Sequence, residues 1–167
     1  MNITDQEKRE SKGWFIVAAN AFIFRGNKIL ITKRSSERDH DPNMWECVSG
    51  RFNQHFATVE KELLREISEE LGEEIKINII SPISLYHFYR ANRKTDEMVG
   101  INFICEYLKG DIKLSNEHSE YKWILPNEID QYSSDPKMRT DVKHLAKIKD
   151  IYFANKKNLI ENYKESN

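Results

Sequence analysis

Apolar and polar residues along the first third of the chain predict a pair of strands. Residues 13–25 are apolar and rich in aromatic and β-branched types, Arg25-Gly26-Asn27 reads as a turn, and Lys28–Lys33 alternates, so a hairpin is expected. A polar loop follows at 35–43, stiffened by Pro42, and Met44–Val48 reads as a short strand running into Ser49-Gly50. At residue 58 the period changes. Val59, Leu63, Leu64, Ile67 and Leu71 recur at helical spacing between Thr58, a good N-cap, and Gly72, a good C′ residue, which predicts a helix over 59–71. Strand signals return at Ile75–Ile80, Ile83–Tyr89 and Met98–Leu108; in the last, Val99, Ile101, Phe103, Cys105 and Tyr107 share a face. Gly110-Asp111 turns the chain toward a strand near Tyr121–Leu125, Pro126-Asn127-Glu128 opens a short helix, and 137–164 reads as one or two more. The order β-β-β-α-β-β-β-α predicts an α+β fold, a mixed central sheet with helices on both faces.

Composition narrows the functional class. At 167 residues the chain is long enough for one domain with a real core. Its formal net charge of −1 advertises neither nucleic acid nor an acidic membrane surface as a partner. Charged residues at 32% and hydrophobic ones at 39% fit a folded, water-soluble protein, and no apolar run approaches the length of a membrane span. The polar start, Met1-Asn2-Ile3-Thr4-Asp5-Gln6, lacks a signal-peptide core. Cys47 and Cys105 sit in apolar strand-like contexts with no metal spacing, so two buried thiols in a cytoplasmic protein are expected.

The helix at 59–71 carries the chemistry. Glu62, Glu66, Glu69, Glu70 and Glu73 fall within an arc of roughly 100° beside the apolar stripe. That placement is unfavourable for the helix itself. The pairs 62–66, 66–69, 66–70, 69–73 and 70–73 cost on the order of 1–2.5 kcal/mol together. Most of these acids also lie toward the helix C-terminus, where the dipole disfavours negative charge. Arg65 offsets part of this by pairing with Glu62 or Glu69. A hard divalent cation held by the carboxylate oxygens would turn repulsion into attraction.

The segment Arg65-Glu66-Ile67-Ser68-Glu69-Glu70-Leu71-Gly72, with Gly50 upstream, resembles the signature box of the Nudix hydrolases. Met44-Trp45-Glu46 precedes the glycine as it does in many members, and Gly110 with Glu117-His118-Ser119-Glu120-Tyr121-Lys122-Trp123 looks like the late strand–loop segment of that fold. The resemblance implies an α/β/α sandwich with a polar N-terminal segment 1–12, a Nudix domain over 13–132 and a helical extension 133–167 packed on it. Three departures stand out. The spacing from Gly50 to Arg65 is one residue longer than in the family, and the first box glutamate is replaced by Phe56 or Ala57. Position 73, apolar in the family, is Glu73. In the family that glutamate mainly supports the box arginine, so its loss bears on the loop 51–57 rather than on the metal ligands.

The resemblance implies Mg²⁺- or Mn²⁺-dependent hydrolysis of a diphosphate linkage in a nucleoside di- or triphosphate derivative, with metal-activated water attacking phosphorus. It makes Glu66 and Glu70 the principal metal ligands, with Glu69 sharing the site or acting as base, and the Ser49 backbone carbonyl completing the coordination. Glu117 is a candidate further ligand or base, Arg34 and Arg51 candidate phosphate contacts, and Trp45 a candidate wall of the base pocket. Gly50, Arg65 and Gly72 are structural members of the motif. Isopentenyl diphosphate isomerase shares the fold but needs a cysteine and metal-binding histidines that the Trp45–Gly50 segment lacks. A nucleotide-binding module without turnover is the non-enzymatic alternative that the altered loop leaves open. Tyr152, Phe153, Leu159 and Ile160 are candidates for a homodimer face.

Overall fold

The structure, a computed structural model, describes residues 15–55, 57–89, 97–133 and 135–165, with side chains of the last helix to residue 155. The segment 1–12, Phe56, Leu159 and Ile160 therefore lie outside the described residues or side chains. The hairpin is present as β1 (Ile16–Arg25) and β2 (Lys28–Arg34). Its strands pair directly only at Phe24↔Ile29 and Arg25↔Lys28, and two short strands fill the space where they diverge. These are β3 (Trp45–Glu46), paired with β2, and β4 (Val48–Arg51), paired antiparallel with β1. The single strand expected at Met44–Val48 is thus two, because the chain changes partner at Cys47.

Helix α1 (Val59–Leu71) has the expected bounds. The Thr58 side chain accepts a hydrogen bond from the Lys61 amide, a cap contributing about 1 kcal/mol. Gly72 ends it at φ 93°, a conformation that costs glycine nothing. Next come β5 (Lys76–Tyr89), β6 (Glu97–Lys109) and β7 (His118–Ile124), a 3₁₀ turn at Pro126–Gln131 and the long α2 (Pro136–Glu165). The two strands expected at 75–80 and 83–89 are one. Pro82 lacks an amide hydrogen and the register shifts on either side of it, yet β6 is long enough to pair along the whole segment.

The strands form a seven-stranded mixed sheet with the path β3-β2-β1-β6-β5; β4 joins β1 and β7 joins β2. Only β1 and β6 run parallel in this set of pairs. Alternation sends β1 residues to two different cores. Ala19, Ala21 and Ile23 pack with Leu63, Ile67 and Leu71 of α1, while Phe22 and Phe24 pack with Met138, Val142 and Leu145 of α2. Each fully buried Phe, Leu or Ile here contributes roughly 1.5–3 kcal/mol. Helices on both faces thus follow from the two-residue period of one buried strand. Tyr152 and Phe153, candidates for a dimer face, are partly buried against this chain's own core; Phe153 meets Phe24 edge-on with ring centres 6.2 Å apart. Both cysteines are buried and free, and burial pushes both thiols up.

Candidate functional site

β4 brings the box glycine to the sheet. Its register with β1 sets Ser49 beside Asn20 and Gly50 beside Ala19, so the side-chain position of residue 50 faces α1. The Glu66 carboxylate occupies that position. A Cβ on residue 50 would stand 2.0 Å from Glu66 Cδ, so only glycine lets the helix set a carboxylate against the strand. The result is one wall of a cleft of about 970 Å³, lined among others by Glu46, Ser49, Gly50, Glu66, Glu70 and Glu117.

Glu70 lies deepest. It is 6% exposed, the Ser49 backbone hydrogen-bonds it, and its Oε2 has no partner among the described residues. Burial pushes its carboxyl well above the usual range, and the nearby charges of Glu46, Glu66 and Glu117 push it further. Beside it His118, 5% exposed, presents a second unpartnered buried atom, Nδ1, 3.9 Å from Glu70 Oε2. The other ring nitrogen of His118 is 3.0 Å from Glu46 Oε1, and Arg34 Nη1 donates to the same carboxylate at 3.0 Å. Arg34 also donates to the His40 carbonyl at 2.9 Å, so it braces the cleft wall. Glu117 comes from the residue before β7 and pairs with Arg38 at 3.1 Å.

Arg65 organises the outer side. It pairs with Glu62 and Glu66, donates to Glu69 Oε2 at 2.6 Å and reaches the Arg51 carbonyl at 3.5 Å. Glu62 also accepts from the Asn53 amide at 3.2 Å, and hydrogen bonding to Arg65 holds its carboxyl below the usual value. One helical acid therefore ties both the box arginine and the altered loop. Burial raises the Glu66 carboxyl while Arg65 pulls it down. Glu69 is exposed and turned to Arg65 rather than into the cleft.

Of the residues singled out in the sequence, Glu66, Glu70, Glu117, Ser49, Gly50, Arg34, Arg51 and Arg65 line one cleft. Trp45 does not; its ring packs edge-on against Tyr132 at 5.4 Å, beside the α2-side core. Glu46, His118, Arg38 and Glu62 gain positions that spacing alone did not give them. Glu46 carried a signal in its place in the strand leading to Gly50, Glu62 in its place on the acid arc within reach of Arg65, and His118 in the late strand–loop segment. Their contacts, and the place of Arg38, are set by β7 lying against β2 and by the fold of the 35–43 and 51–55 loops.

Residues 14–146 match the NUDIX domain family. The chain belongs to the Nudix hydrolases. Nucleoside triphosphatase NudI of Escherichia coli O81 (strain ED1a) is 28% identical over 109 residues, covering 62% of this chain and 77% of that protein. Among solved structures, the MutT protein from Methanosarcina mazei Go1 superposes with a TM-score of 0.64 at 23% identity, covering 81% of this chain and 95% of that one. A C. elegans Ap4A hydrolase in a binary complex superposes with a TM-score of 0.63 at 16% identity, covering 80% and 96%. At these identities the structural likeness is one of fold. Nudix hydrolases generally use a divalent metal, and the donor chemistry of this cleft fits one: clustered carboxylates, with an unpartnered buried oxygen on Glu70. Among the described residues no three acidic, histidine or cysteine side chains converge closely enough to ligate an ion as they stand. Arg65 engages Oε1 of the Glu66 carboxylate and leaves Oε2, on the Gly50 side, outside that pair.

Proposed function

We propose that this Nudix hydrolase cleaves a diphosphate linkage in a nucleoside di- or triphosphate derivative, with Mg²⁺ or Mn²⁺ held by Glu66 and Glu70. The Ser49 carbonyl and Glu117 complete the set, and Glu69 joins it when it leaves Arg65. The observation that carries this reading is the Glu70 carboxylate. It is buried with one oxygen unpartnered, among acids that raise its pKa, an arrangement unfavourable for an isolated protein but suited to a hard cation. A divalent cation there supplies positive charge for the phosphates and a water of lowered pKa. The chain's residues do the rest. Arg38 and Arg51, both on the cleft wall, offer charge to phosphate oxygens, while Arg34 keeps Glu46 in place. Gly50 lets Glu66 stand against the strand. The nucleotide-hydrolysing relative NudI supports the substrate class.

The test is product analysis on a panel of nucleoside triphosphates, dinucleoside polyphosphates and nucleotide sugars, with Mg²⁺, Mn²⁺ or EDTA. Metal-dependent release of a nucleotide and the matching phosphate fragment is expected for at least one member. No turnover across the panel in either metal contradicts the proposal. The partner is a small-molecule nucleotide, and no helix among the described residues is long and apolar enough to cross a membrane.

A further inference from the structure

The cleft continues past the carboxylates, and its far end carries polar groups that the hydrolytic step leaves unused. Ser49, Asn20, Asn102 and Ser84 form one row across β4, β1, β6 and β5, each opposite the next in register. With strands about 4.8 Å apart, Asn102 lies roughly 10 Å from Ser49, about the reach of a nucleotide from its phosphates to its base. Asn20 Nδ2 donates to the Tyr86 hydroxyl at 2.8 Å and to Asn102 Oδ1 at 2.9 Å. Asn102 Nδ2 donates to Ser84 Oγ at 2.9 Å and to Asp141 Oδ2 at 3.3 Å. Tyr86 can lean across the sheet because residue 100 is glycine; a Cβ there would stand 2.0 Å from the ring's Cζ.

These bonds decide what remains for a ligand. Asn20 and Asn102 have spent their amide hydrogens. Lys137 is committed to Asp141 Oδ2 and lies 4.7 Å over the Tyr86 ring. Asn20, Tyr86 and Asp141 line the cleft. Among the described residues they keep two acceptor oxygens without a donor, Oδ1 of Asn20 and Oδ1 of Asp141, and one donor, the Tyr86 hydroxyl. Of the common bases, guanine offers the complementary count, with N1–H and a 2-amino group as donors and O6 as acceptor. Uracil offers the reverse, one N–H between two carbonyl oxygens, and so turns oxygen toward a carboxylate. Hypoxanthine lacks the second donor.

We propose that this end of the cleft is a base-recognition subsite that selects guanine nucleotides, with Asp141 and Asn20 accepting from the base and Tyr86 donating to it. The proposal rests on the reading of the substrate as a nucleotide with its phosphates at the carboxylates.

The experiment measures kcat/KM for GTP, ITP and UTP in Mg²⁺, together with calorimetric binding of GMP and UMP. GTP is expected to exceed ITP and UTP by about tenfold or more, because a site built to receive a second donor discriminates against a base that lacks it. Asp141→Asn is expected to lower the GTP value by about tenfold and to raise rather than lower the UTP value, because it removes the carboxylate that faces a uracil oxygen. Tyr86→Phe keeps the ring over Gly100, removes only the hydroxyl, and serves if Asp141→Asn does not fold; GTP is expected to fall several-fold. Equal constants for GTP, ITP and UTP in the wild type overturn the proposal, as does a preference that survives both variants. If no nucleotide is turned over, the hydrolase reading fails. Binding then still decides the subsite: GMP favoured over UMP supports it, and equal binding overturns it.

Discussion

Glu70 shows how a single residue departs from its surface counterparts. Its folded-state pKa lies above the ordinary carboxyl value of 4.5, so the folded protein holds the proton more tightly than the unfolded chain does. The sign follows from that. The contribution is fully present below the unfolded value and is lost as pH rises through the folded one. In EDTA the midpoint of thermal unfolding is therefore expected to fall as pH rises above the ordinary carboxyl value of 4.5, and the fall should be smaller in Glu70→Gln. A fall of equal size in the variant would show that Glu70 is not the group responsible. Gly50 gives a second prediction at this scale. Gly50→Ala puts a methyl where the Glu66 carboxylate stands, with an overpacking cost of about 1–3 kcal/mol. Steady-state kinetics should show kcat reduced by roughly 10²–10³, since the proposed mechanism makes the displaced group a principal electrostatic stabiliser. Near-wild-type kcat in that variant would mean that Glu66 works from a different position. Glu66 and Glu70 were legible in the sequence because helical spacing fixes which residues share a face. Glu46 and His118 were less so, since their meeting depends on β3 and β7 flanking β2.

At the scale of elements, α1 and the loop 51–55 act together through Glu62. The sequence marks Glu62 as one of five acids on an arc and, with the family's loop glutamate lost, as a replacement partner for Arg65 alongside Glu69. In the fold Glu62 accepts from Arg65 at 2.7 Å and from the Asn53 amide at 3.2 Å, which fastens the loop to the helix. Glu62→Ala is expected to increase hydrogen exchange at the Asn53 amide and to lower kcat while leaving metal affinity within a few-fold. Unchanged exchange at Asn53 would show that the loop is held by other contacts, such as the Phe52 amide bond to the Val17 carbonyl. Helix α1 was readable to the residue because its cap, period and stop agree. The strands were less exact. A sequence cannot show that β1 and β2 diverge enough to admit β3 and β4, nor that β6 carries β5 past Pro82, because both depend on partners distant along the chain.

At the scale of the molecule, the sheet's two faces divide the work. The α1 face supplies the carboxylates, reaching past Gly50, and the α2 face supplies the Asn20–Asn102–Asp141 row, so one cleft meets groups from both helices. Holding acids together without a counter-ion is unfavourable, and a bound cation should offset it. A divalent metal at 100 times its Kd is expected to stabilise the fold by about 2.7 kcal/mol, seen as a rise in unfolding midpoint that Glu70→Gln largely abolishes and Glu128→Gln does not. The most direct measurement is nucleotide turnover followed by product analysis, for wild type and Glu70→Gln, with Mg²⁺ and with EDTA. Nucleotide and phosphate products that form only with the metal, and roughly 10²–10³-fold more slowly in the variant, are the expected result. Turnover that persists in EDTA, or that Glu70→Gln leaves near the wild-type rate, would contradict metal-assisted hydrolysis at these carboxylates.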